Sequence, residues 1–149
     1  MAEPWHLTDS NILLRLSPEA HSDYPVIRAM IDEMQERRVP IGYTLQNLTE
    51  FWNVVTRPVH SNGFDLSIRE ANRLAGRFEK AFTLLPDTES VCAAWRQIVL
   101  EHEVRGRQVH DARLVASMRT YGIQHIITLN GADFRRYPDI VVVSPRRGE

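Results

Sequence analysis

Cysteine and lysine are almost missing from this chain. Cys92 is the only cysteine among 149 residues, so no intramolecular disulfide can form and no thiolate zinc site can be built. Lys80 is the single lysine among 18 basic residues. The others are arginines, whose planar forks suit bidentate recognition of phosphate or carboxylate. No apolar run approaches the ~18 residues of a membrane span. The opening "MAEPWHLTD" has neither a basic region nor a long apolar one, so no signal peptide is expected. A cytoplasmic protein without a membrane span is the expectation. Positive charge is not in excess, since the formal net charge is −1. That weighs against a passive nucleic-acid coat, but not against an enzyme that meets phosphates through metal ions. Internal repeats, low-complexity tracts and linkers are also missing. The histidines form no HExxH pair, and His102-Glu103 is only a fragment of one.

What is present suits a soluble globular chain. The composition is 43% hydrophobic and 25% charged, and the length predicts one domain over residues 1–149 with a sizeable core. "WHLT" reads as a buried strand, with Ser10 capping a short helix after it. Val26, Ile27, Met30, Ile31 and Met34 recur at helical steps over residues 22–37. "VPIGYT" reads as a second strand. Thr44 then caps a helix whose apolar face is Leu45, Leu48, Phe51, Trp52 and Val55, and Arg57-Pro58 ends it.

"RPVHSNGFD" carries the loop signals Pro58 and Asn62-Gly63. Ser67 to Glu70 has capping-box spacing, opening a helix through Phe82. "FTLLP" is a third strand. A helix from about Glu89 to Val104 turns Val91, Trp95, Ile98 and Val99 inward, and Gly106 breaks it. Another runs from near Val109 to a glycine cap at Gly122. "HIITL" and "IVVVS" are the last strands. Cys92 and the tryptophans are expected in the core. Short apolar strands alternating with helices imply an α/β fold, a parallel sheet covered on both faces. Ligands then sit beyond the carboxyl ends of its strands.

That rule selects acids. Asp9 follows the first strand and runs directly into Ile12, Leu13, Leu14 and Leu16. A carboxylate so close to a core needs a backbone amide, a basic side chain or a metal ion. Asp111 shares the buried stripe of its helix with Leu114, Val115 and Met118; Asp133 follows the fourth strand. Glu50 lies on a polar stripe with Gln46 and Asn53, bordering a cleft or facing water. Each acid alone has a plainer reading. Asp9 is a helix N-cap or turn residue, Glu50 a solvated helix residue, Asp111 a complement to a helix dipole, and Asp133 a turn residue. Together, carboxylates repel and raise one another's pKa values. A hard divalent cation relieves that repulsion, and Mg²⁺ or Mn²⁺ prefers oxygen ligands. Such ions bind a phosphodiester and lower the pKa of a bound water.

"LTDSNILL", "LTEFWNVV", "VHDARLVA" and "IITLNGADF" resemble, in that order, the acidic motifs of the PIN-domain ribonucleases, most closely the VapC toxins of bacterial toxin–antitoxin pairs. The resemblance extends over nearly the whole chain. "TRPVHSNGFDLS" also looks like a connecting segment of one VapC subgroup. The resemblance implies a three-layer α/β/α PIN-like domain with a central parallel sheet, and a Mg²⁺- or Mn²⁺-dependent endoribonuclease. Asp9, Glu50, Asp111 and Asp133 match its acidic, metal-binding positions, with Asp9 and Asp111 the principal ligands. Ser10, Thr128 and Asn130 match polar positions bordering the site. The resemblance also implies an RNA substrate, a homodimer, and a cognate VapB-type antitoxin whose tail crosses the cleft.

Arg105, Arg107, Arg113, Arg135 and Arg136 flank these motifs and suit RNA phosphates or simply solvated helix ends. His110 is expected at the surface. Asn11 is expected to hydrogen-bond locally and fix the turn. Leu13, Leu14 and Trp52 offer apolar surface for an antitoxin helix. Two other functions compete. A catalytically inactive PIN-like binding module has little reason to collect mutually repelling acids. A phosphotransfer or receiver domain needs the second aspartate of a DxD motif, which Asp9-Ser10-Asn11 lacks, or a strand-end lysine, which Lys80 is not.

Overall fold

The computed structural model describes residues 2–17 and 21–145. Five short strands, β1 (His6–Thr8), β2 (Ile41–Thr44), β3 (Thr83–Leu85), β4 (His125–Ile127) and β5 (Val141–Val143), form one sheet in the order β3-β2-β1-β4-β5. Every pairing is parallel. Six helices cover it: α1 (Ser10–Leu16), α2 (Tyr24–Glu36), α3 (Leu45–Thr56), α4 (Ile68–Ala81), α5 (Glu89–Glu101) and α6 (Gln108–Tyr121). The fold is the three-layer α/β/α arrangement with a central parallel sheet that the sequence predicts.

Alternation along the strands divides the core into two halves. Ile41, Tyr43 and Ile127 turn to one face and pack with α1 to α4 through Ile12, Leu13, Ile31, Phe51 and Phe78. Leu7, Leu85 and Ile126 turn to the other and pack with α5 and α6 through Val91, Ile98, Leu114, Val115 and Met118. Residues 112, 114, 115, 116, 117 and 118 of α6 are all buried, so this helix is enclosed almost all round rather than lying half in water. Gly122 ends it at φ +70, a left-handed turn that a side chain would strain.

Local chemistry sets the helix starts. Thr44 and Asn47 form a reciprocal capping box at α3, each side chain accepting from the other's backbone N–H. At α4 only half of the expected box forms. Ser67 accepts from Glu70 N at 3.1 Å, but the Glu70 carboxylate turns outward to Arg73. The Asn62-Gly63 loop folds back on α3, with Phe64 and Leu66 donating backbone hydrogen bonds to Val54 and Val55. A Cβ on Gly63 would lie 1.9 Å from the Arg57 carbonyl oxygen, so that close return requires glycine.

Several expectations are corrected. Asp9, not Ser10, caps α1, because its extended backbone and short carboxylate reach the first orphan amide. Cys92 is exposed: α5 turns Val91 and Ile98 inward, leaving position 92 on the outer side. Trp5 is also exposed, lying before β1 begins, while Trp52 and Trp95 are half-buried. Leu13 is wholly buried and offers nothing to a partner; Leu14 and Trp52 keep partial exposure.

Candidate active site

Sheet order reverses direction between β1 and β4, leaving a crevice at their carboxyl ends. Asp9 follows β1 by one residue and Thr128 follows β4 by one. Asp9 N donates to Ile127 O at 3.0 Å, fixing the two strand ends together. The Asp9 carboxylate is 8% exposed and held on both oxygens. Oδ1 accepts from Ser10 N at 2.7 Å; Oδ2 accepts from Thr128 Oγ1 at 2.8 Å and Asn11 Nδ2 at 3.4 Å. Asn11 reaches further than a local turn. Its Nδ2 donates to Thr128 Oγ1 at 3.2 Å and its Oδ1 accepts from Leu129 N at 3.2 Å, so it ties α1 to the end of β4.

The opposite wall is α3. Glu50 Oε2 accepts from Ser10 Oγ at 2.7 Å, and Oε1 accepts from Gln46 Nε2 at 2.9 Å. The same Gln46 nitrogen donates to His110 O at 2.9 Å. Since both its partners are acceptors, the orientation of the Gln46 amide is determined. This residue therefore binds Glu50 to the first turn of α6, one residue before Asp111. Asn47 Nδ2 donates to Ser10 Oγ at 3.3 Å and completes a continuous polar seam. Glu50 thus borders the crevice rather than facing open water.

Asp111 and Asp9 both feel the other acids electrostatically. Asp111, half-buried in the first turn of α6, is pushed up to about 7 from an ordinary 3.8. Burial contributes most, followed by the charges of Asp133, Asp9 and Glu50, with Arg136 opposing them. The Asp9 carboxyl is also raised, chiefly by burial, with Glu50 and Asp133 adding to it. The hydrogen bonds from Thr128 and Ser10 act in the opposite direction. Asp133 is exposed on a 3₁₀ turn, Gly131–Phe134, at the rim. Among the described residues, no three His, Cys, Asp or Glu side chains form a ready cage for a metal ion. The acids influence one another's ionisation but form no closed coordination geometry.

The other candidates are spread around this centre. Asn130 is exposed, and its backbone N–H donates to Thr128 Oγ1 at 3.0 Å. Arg113 pairs with Asp87 at 2.6 Å and lines a groove together with Glu50. Arg136 donates to Gln108, and Arg105, Arg107 and Arg135 are exposed, as is His110. Gln46, Asn47 and Asp87 were not singled out as site residues by the sequence. Only Gln46 left a signal there, one helical turn before Glu50 on the same polar stripe. A groove of about 780 Å³ runs beside Glu50 between α3 and α6, lined by Gln46, Asn53, Arg107, His110 and Arg113 among others.

The sequence model of the PIN domain matches residues 7–140. No curated protein matches the chain. Solved structures share its fold at low identity. A chain of VapBC2 from Rickettsia felis, bound to a DNA fragment from its promoter, superposes with a TM-score of 0.70 at 11% identity, covering 94% of this chain and 98% of that one. A chain of DNA-bound VapBC from Salmonella typhimurium gives 0.69 at 16% identity, covering 98% and 100%. VapC20 from Mycobacterium tuberculosis, described as a sarcin-ricin loop cleaving toxin, gives 0.62 at 18%, covering 89% and 95%.

Proposed function

The chain belongs to the PIN-domain family, and from that premise we propose that it is a metal-dependent endoribonuclease, the toxin of a toxin–antitoxin pair. The observation carrying this reading is the pair of carboxylates held on one residue at the sheet switch point, Ser10 N donating to Asp9 Oδ1 and Ser10 Oγ to Glu50 Oε2, beside an Asp111 carboxyl pushed up by burial and by Asp133, Asp9 and Glu50. The donors fit Mg²⁺ or Mn²⁺ in kind, being hard carboxylate oxygens whose mutual repulsion a cation relieves. Asp9 and Asp111 would hold the ion, with Glu50 and Asp133 completing the site or orienting water. When bound, the ion supplies positive charge that lowers the pKa of a water and stabilises the phosphodiester's developing charge.

The chain's own groups do the positioning. Thr128 Oγ1 and Ser10 N fix the Asp9 carboxylate in one orientation. Ser10 Oγ and Gln46 Nε2 do the same for Glu50. Burial behind α1 and β4 keeps Asp9 from being fully solvated, so its charge acts in a medium of lower dielectric. Arg107 and Arg113 line the adjoining groove and suit phosphates on either side of the scissile bond.

Two of the three structures described above are complexes bound to DNA; for this chain we propose a homodimer and a cognate VapB-type antitoxin. A guanidinium of the antitoxin suits the carboxylate crevice, where it would exclude the ion. No helix among the described residues is long and apolar enough to cross a membrane; the setting proposed for such a pair is the cytoplasm.

The test is RNA cleavage by purified wild type, Asp9→Asn and Asp111→Asn, with Mg²⁺ or Mn²⁺ and with chelator. Metal-dependent cleavage by wild type alone is expected, with all three proteins folded. Near-wild-type turnover by either variant would sink the assignment. Inactive wild type that still binds RNA or a protein would favour the non-catalytic module.

A further inference from the structure

A second cavity lies beyond the groove, between the start of α5 and the first turn of α6. It measures about 390 Å³ and shares His110 and Arg113 with the groove that reaches Glu50. Val91, Trp95 and Val109 supply apolar wall, while Asp87 and Thr88 supply polar edges. We propose that this cavity is a nucleobase pocket, receiving an unstacked base of the RNA strand cleaved at the acid cluster. The proposal rests on the ribonuclease reading and adds where the substrate is read.

Three features select this occupant. The first is size. The volume falls at the lower end of the ~300–1,000 Å³ of small-molecule sites. An α-helix with side chains, about 10 Å across, does not enter such a space, so the cavity suits one flat group rather than an antitoxin helix. The second is chemistry. A base has an apolar face and a hydrogen-bonding edge, and specific recognition of single-stranded RNA stacks such faces on aromatic side chains. Trp95 is in place for this before any ligand arrives, because its Nε1 donates to Val109 O at 2.9 Å and fixes the indole against α6. The Asp87 carboxylate provides an edge acceptor and is itself fixed by Arg113 at 2.6 Å, while Thr88 Oγ1, which caps α5 by accepting from Val91 N at 3.3 Å, keeps its hydroxyl proton to donate. The third is continuity. His110 and Arg113 stand between the cavity and the groove, where a phosphate linking the inserted nucleotide to its neighbour would pass.

Cys92 makes the idea testable without a mutation in the pocket. It is the only cysteine of the chain, is exposed, and lines this cavity. The experiment measures Cys92 alkylation by N-ethylmaleimide in the Asp111→Asn protein, with and without a short single-stranded RNA. Binding is followed in parallel by fluorescence anisotropy. Saturating RNA is expected to slow alkylation at least about fivefold, and prior alkylation to weaken RNA binding about tenfold, the loss of one stacked base. An abasic oligonucleotide of equal length is expected to bind without protecting Cys92. RNA that binds while alkylation continues unchanged would overturn the pocket and leave the ribonuclease reading standing. Equal protection by the abasic oligonucleotide would also overturn it. If no RNA binds at all, both fall.

Discussion

Replacing Asp111 by Asn should stabilise the metal-free protein while removing its activity. The Asp111 carboxyl is raised from 3.8 to about 7 in the folded state, with burial the largest cause and Asp133, Asp9 and Glu50 the next. At about 1.4 kcal/mol per unit, ionising it within the fold costs at most ~4 kcal/mol more than in the unfolded chain. Asp111 is only half-buried, so solvent screening brings the net effect to roughly 1–2 kcal/mol. A neutral, isosteric amide avoids that cost. For a chain of this length each kcal/mol moves Tm by about 2–4 °C, so the variant should melt roughly 2–8 °C higher at alkaline pH.

The pH dependence has a fixed sign. Because the folded pKa lies above the unfolded one, the neutral acid's contribution is complete below 3.8 and is lost as pH rises through about 7. The gap between variant and wild type should therefore open across that window and stay level above it. Thermal unfolding followed by circular dichroism in chelator, from about pH 5 to about pH 8, measures this directly. A gap of equal size at both ends, or a variant less stable throughout, would refute the account of a carboxyl raised by burial and by its acidic neighbours.

Three further outcomes are expected. Mg²⁺ or Mn²⁺ should raise the Tm of wild type more than that of Asp9→Asn, since a site occupied at a hundredfold excess over Kd contributes about 2.7 kcal/mol; identical shifts in a melting assay would count against a native acidic site. Thr128→Val removes the 2.8 Å hydrogen bond to Asp9 Oδ2 and the acceptor for Asn130 N, so denaturant unfolding should show a loss of roughly 1.5–3 kcal/mol. With that lowering influence gone, the Asp9 carboxyl should rise further, visible in an NMR titration of the side chain. Under the proposed plugging of the cleft by an antitoxin guanidinium, replacing that arginine by Ala should shift the inhibition of RNA cleavage to higher antitoxin concentration, losing roughly 1.5–3 kcal/mol; an unchanged curve would mean that inhibition comes from another surface.

Local and periodic information sufficed for much of this protein. The apolar steps of Ile27, Ile31 and Met34 and the short β-rich runs dictate helices and strands because burial of a stripe or face follows chain geometry. Their alternation determines a parallel sheet, since parallel strands need long crossovers. The glycine cap at Gly122 was legible for the same local reason. So were Asp9, Glu50, Asp111 and Asp133 as candidates, because strand-end position and the order of the motifs are properties of the chain itself.

Tertiary structure decided how those candidates are held. Asp9 and Thr128 meet across 119 positions in the sequence, and Gln46 reaches His110 across 64. No local pattern specifies such meetings; the first follows from β1 and β4 pairing side by side at the switch point, the second from α3 and α6 meeting across it. Cys92 and Leu13 went the other way from expectation because residue type sets a tendency to be buried, whereas rotation of the helix against its neighbours sets which side faces inward. The elevation of Asp111 likewise depends on charges brought from three other segments, and a field is the sum of distances that only the folded chain defines.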